Sequence, residues 1–105
     1  MSDLTDPEIT RPCARAMEYT FKAVNPHASG ILVTGIVDEV SRYDPLHDDA
    51  QMAALVKKFR IGIVCFHDSM WSVNDRHNVS QNADLNRAVC ECVARMQLVK
   101  EKARG

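Results

Sequence analysis

A chain of 105 residues is enough for one small domain, and its 46% apolar and 26% charged residues leave little room for extensive disorder. The formal charge of −1 argues against an electrostatically driven nucleic-acid binder. No segment approaches the roughly 18 apolar residues of a membrane span, so neither direct nucleic-acid binding nor membrane insertion is expected.

Residues 1–9 read as a flexible N-terminal arm. Thr5, Asp6 and Pro7 carry helix-start chemistry, but Pro12 follows too soon for a long helix from there. Thr10 is the better N-cap. Cys13, Met17, Thr20, Phe21 and Val24 then line one face of a helix of about 14 residues, which Asn25 and Pro26 stop.

Segment 31–37 is ambiguous. Its β-branched content favours a strand, whereas Val33, Ile36, Val37 and Val40 keep helical spacing. No second strand is evident to pair with it, and a lone strand leaves its backbone groups unpaired. A helix over about 30–42 is therefore expected, ended by Asp44 and Pro45.

The strongest periodicity follows. Met52, Val56, Phe59, Ile63, Phe66, Met70 and Val73 step by fours and threes, an a/d heptad seam predicting one long helix over 48–73. Its middle, 61–66, is apolar all round, so it should be covered on more than one side. A polar turn over 74–82 precedes a last helix capped by Ser80 or Asn82. That helix has its own seam in Leu85, Val89, Cys92, Met96 and Val99, and ends among Lys100, Lys102 and Arg104. The expected fold is all-α: a single helical domain over 1–105, with four helices, two of them long and heptad-patterned. Pairing of two chains through a seam would make it a dimeric helical bundle.

The residues that could carry chemistry converge poorly. His67, Asp68, Asp75 and His77 are the nearest thing to a site, but helical spacing does not bring them to one face. The group His47, Asp48 and Asp49 reads as helix capping. Cys13, Cys65, Cys90 and Cys92 read as small buried apolar residues in a reducing cytoplasm. The N-terminus shows no secretory signal pattern. No catalytic residue, cofactor or metal is expected. Ile61, Val64 and Trp71 lie off the seam, and Trp71 and Tyr43 are residue types that anchor interfaces; these four are the candidates for binding a partner protein.

With 59–71 as a central helix and 86–96 as a terminal one, the organisation resembles the bacterial quorum-sensing antiactivators of the QslA type. The resemblance implies a cytoplasmic homodimer. It would bind the ligand-binding domain of a LuxR-type transcription factor and block that factor's dimerisation. It carries over no binding residue. The expected function is thus non-enzymatic: inhibition of a transcriptional regulator by protein binding. The alternatives are a phage-encoded inhibitor of a host defence complex, and a helical dimer that sequesters a small ligand near His67, Trp71 and Arg76.

Overall fold

The computed structural model describes residues 4–23, 31–37, 39–66, 70–75 and 78–104. It is mixed α/β, which overturns the all-α four-helix expectation. The order is α1 (Asp6–Ala16), β1 (Thr20–Ala23), β2 (Ile31–Val37), β3 (Glu39–Tyr43), α2 (Asp49–Phe59), β4 (Gly62–Phe66), β5 (Met70–Asn74), β6 (Val79–Asn82) and α3 (Leu85–Arg104). The strands form two antiparallel meanders, β1-β2-β3 and β4-β5-β6.

The first helix is capped five residues earlier than expected. Thr5 accepts from the Glu8 backbone N–H at 3.4 Å while the Glu8 carboxylate accepts from the Thr5 N–H at 3.1 Å. This reciprocal capping box satisfies two backbone donors and makes Thr5, not Thr10, the N-cap. Residues 4–9 are therefore no loose arm. Ile9 is fully buried, and the Arg87 guanidinium donates to the Leu4 carbonyl and the Asp6 carboxylate. The helix ends at Ala16, with Glu18 in the left-handed region at φ 66°, so Thr20 and Phe21 enter a strand instead.

Segment 31–37 is a strand, and it has the partners that the sequence hid. Thr20 and Phe21 pair with Thr34 and Val33 on one side, and Ser41 to Tyr43 pair with Val33 to Ile31 on the other. Flanked on both sides, β2 has no unpaired edge and so escapes the objection to a lone strand. Both pairings carry a register shift.

The long helix of 48–73 is in fact three elements. Asp48 caps α2 by accepting from the Gln51 N–H at 3.0 Å, and Arg60 closes it in the left-handed conformation at φ 51°. The β-branched run then forms β4 and turns back on β5. Phe66 pairs with Met70 and Ile63 with Val73. The steps 63, 66, 70 and 73 are mirror-symmetric about 68, so they fit a hairpin as well as a heptad.

Helix α3 spans 20 residues, about 30 Å at 1.5 Å per residue, and is the fold's spine. Asp84, not Ser80 or Asn82, accepts from the Arg87 N–H at its start. Most of its seam turns inward: Val89 and Cys92 are fully buried and Leu85 and Met96 pack against the same core, but Val99 is 63% exposed. Helix α1 packs along it, joined by Cys13 Sγ donating to the Cys90 carbonyl and by a two-bond ion pair from Arg15 to Glu101. From α2, Met52 and Leu55 reach the core, with Val56 and Phe59 at its margin. Within the chain, Met52, Val73, Val89 and Cys92 of the two seams supply one core, whereas Ile63 is 38% and Val99 63% exposed. No described helix is long and apolar enough to cross a membrane.

Candidate functional site

Among the described residues, exposed large apolar side chains lie on the β4-β5-β6 sheet, in Ile63, Val64 and Val79, and on α3, in Leu98 and Val99. Side chains alternate across a strand, so register decides which face each residue shares. Ile63, Val73 and Ser80 are aligned across the three strands. Val73 and Ser80 are buried, and Arg95 of α3 donates to Ser80 Oγ at 3.5 Å, so this is the face against α3. The opposite face holds Gly62, Val64, Ser72, Asn74, Val79 and Gln81. It is uncharged. Val64 and Val79 stand out from it at 59% and 57% exposure. Burying apolar area stabilises by about 25 cal/mol per Å², so valines left this open are positions where a bound partner would gain.

Val64 is thus the only one of the four partner-binding candidates that the structure places fully at the surface. Tyr43 is 1% exposed, set edge-on to Tyr19 with ring centroids 5.3 Å apart, and Ile61 is buried. Both belong to the core and present no surface to a partner. Trp71 is half-buried on the α3 side of β5, opposite Cys65. Val79 was hidden in a stretch that reads as polar turn. The signal that could have found it is the alternation Val79, Ser80, Gln81 beside a hairpin.

The polar groups serve the fold. His67, Asp68, His77 and Arg76 lie outside the described residues. Asp75 accepts from the Asn78 N–H at 2.6 Å across the β5–β6 turn. Asp44 is 6% exposed, and His47 Nδ1 lies 3.0 Å from both of its carboxylate oxygens. That hydrogen bond, reinforced by the carboxylate's charge, raises the affinity of His47 for its proton. Asp48 caps α2, and Asp49 accepts from Asn86 of α3 at 3.1 Å.

Three cysteines, Cys13, Cys90 and Cys92, are buried as expected, whereas Cys65 is exposed on β4 and corrects the fourth. The Cys90 thiol is pushed up by its hydrogen bond with the Cys13 side chain and then by burial. Burial pushes Cys92 up to about 11. Thiols of that kind are poor nucleophiles. Among the described residues no three of His, Cys, Asp and Glu cluster to hold a metal.

A shallow cleft of ≈ 240 Å³ opens between Leu4, Arg11, Arg15 and Leu98. It falls below the roughly 300–1,000 Å³ typical of small-ligand sites. It is also remote in sequence from the place where ligand sequestration was expected. No family model, characterised protein or solved structure matches this chain.

Proposed function

We propose that this protein is a non-enzymatic regulator that acts by binding another protein through the outer face of the β4-β5-β6 sheet. The single observation that carries the reading is the uncharged face with Val64 and Val79 exposed. Isolated surface valines are ordinary, but two on one flat face free of charge give a partner apolar contact without charge desolvation. Inhibition of a LuxR-type transcription factor is the target class that the resemblance implies. The helical organisation behind that resemblance is replaced by strands over most of 59–71, so the target class now rests on experiment.

The test uses the full chain with and without Val79→Glu, a change on the outer face and away from β4. Binding is measured to a purified LuxR-type ligand-binding domain and, by tagged capture, to lysate proteins. A stoichiometric partner bound by the wild type and weakened at least about tenfold by the variant, with circular dichroism unchanged, is the expected result. A folded wild type that captures nothing, or a variant that binds equally well, refutes the reading.

A further inference from the structure

The three helices run the same way, and that segregates the charge. At their starts, Arg87 of α3 donates to the Leu4 carbonyl and the Asp6 carboxylate, and Asn86 of α3 donates to the Pro45 carbonyl and the Asp49 carboxylate. At their ends, Arg15 of α1 pairs with Glu101 of α3, and Lys58 of α2 donates to the Ala16 carbonyl of α1 at 3.0 Å. One pole therefore gathers Asp6, Asp44, Asp48, Asp49 and Asp84 around the helix starts. The other gathers Arg15, Lys57, Lys58, Arg60, Lys100 and Lys102, against only Glu18 and Glu101 among the described residues. We infer that this basic pole is a second interaction surface, and that it takes an acidic segment of another protein with apolar side chains among its carboxylates. The pole is distinct in charge from the outer face of β4-β5-β6 and stands whether or not that face binds.

The formal charge of −1 conceals the pole because it sums two distant patches. Helix α3 runs between them, about 30 Å for its 20 residues at 1.5 Å each. At physiological salt charges are screened over about 8 Å, so a partner at the basic pole meets the cations and not the remote carboxylates. A cation near a helix C-terminus offsets the helix dipole, but that effect is confined to the last turn. It explains a cation at each end. It does not offset the repulsion that arises when three basic ends are brought to one pole. Lys57, Arg60, Lys100 and Lys102 are exposed and have no ion-pair partner among the described residues. An anionic partner relieves that repulsion.

The partner's chemistry follows from what stands between the cations. Leu98 and Val99 are exposed, and Lys102 lies one helical turn beyond both, so the pole is apolar as well as basic. A phosphodiester backbone would leave those two side chains uncovered, and no exposed aromatic residue among those described offers a base a stacking platform. A lipid surface binds through buried apolar area plus charge, and one leucine and one valine at a helix end supply little of the first. A protein segment that carries both carboxylates and apolar side chains meets both parts of the pole, its carboxylates taking charge-assisted hydrogen bonds from lysine and arginine. Arg15 and Leu98 also line the cleft between α1 and α3, which gives one of its apolar side chains a place to enter. The acidic pole repels the same segment and so fixes the end that it approaches.

The probe for the test is a fluorescein-labelled peptide of glutamate and leucine in helical repeat, titrated into the full-length protein and followed by anisotropy. Binding to the wild type should saturate below about 100 µM. Raising salt from about 0.05 to about 0.5 M should weaken it at least about tenfold. Lys57→Glu made with Lys102→Glu should weaken it by about tenfold or more, Val99→Ser should weaken it less, and Val79→Glu should leave it unchanged. Polyglutamate, an oligothymidylate and phosphatidylserine vesicles should each bind more weakly than the peptide. No saturation in that range, a double variant or a Val99→Ser protein that binds as the wild type does, or equal or tighter binding of any of the three other probes overturns the inference. Should the double variant fail to fold by circular dichroism, Lys57→Gln with Lys102→Gln takes its place under the same criterion.

Discussion

His47 shows how a single contact sets a pH response. Its Nδ1 sits on a buried carboxylate while most of the ring faces solvent, the side chain being 60% exposed. Asp44 raises the folded-state pKa of the imidazole above its ordinary 6.5, and the more distant Asp6 and Asp84 act in the same direction. A group bound more tightly to its proton in the folded state stabilises the fold below the unfolded pKa. That contribution is lost as pH rises through the raised folded value. Solvent screening keeps the effect under about 1 kcal/mol. In an NMR titration His47 should titrate above the free imidazole, and Asp44→Asn should lower its pKa toward the free value. A wild-type His47 that titrates at the ordinary value would disprove the coupling. The same substitution should also flatten the decline of melting temperature as pH rises from the ordinary imidazole value through the raised one.

At the scale of elements, caps decide what periodicity leaves open. Thr5→Ala removes one of the two reciprocal bonds that start α1. It should cost about 1 kcal/mol, or roughly 4–8 °C in melting temperature. Thr5→Ser should retain most of that stability. A loss equally large in both variants would mean that the cap is not the cause. In acid, protonation of Glu8 should reproduce part of the effect, because the Thr5 hydrogen bonds hold its carboxyl below the usual range. That contribution is present above the unfolded pKa and lost as pH falls through the depressed one. Capping was legible where the next residues were plainly helical. Asp48 reads as a helix start and is one, and the last helix keeps its seam. In the sequence Pro12 reads as a barrier to a helix begun at Thr5, yet it sits inside α1 and buried. The hairpin was illegible for a more basic reason. Steps of three, four and three are symmetric, so Ile63, Phe66, Met70 and Val73 satisfy a coiled-coil seam and a strand pairing alike. Only the β-branched run 61–64 and the left-handed Arg60 break the tie. The surface followed the same fate. Val64 was recognisable as lying off the seam, whereas Val79 required knowing that a polar stretch forms the third strand.

For the whole molecule, the core cysteines give a reporter of how the layers come apart. Cys13 lies on α1, and Cys90 and Cys92 lie on α3; all three are fully buried where helices and sheets meet. No local fraying of a terminus uncovers them, because exposing Cys13 and Cys90 requires α1 to leave α3. Only a thiolate reacts with disulfide reagents; the Cys13 hydrogen bond and then burial hold the Cys90 thiol above its ordinary range, and burial does so for Cys92. Opening must therefore precede reaction at these sites. Cys65 is exposed and should label rapidly, and the other three together in one slow phase. Leu55→Ala, a truncation in the same core, costs about 2–5 kcal/mol and should speed that slow phase while leaving the fast one unchanged. A second rapid thiol at Cys13 or Cys90 would mean that α1 detaches without global unfolding, and the helix pair would then not be the spine on which both sheets are held.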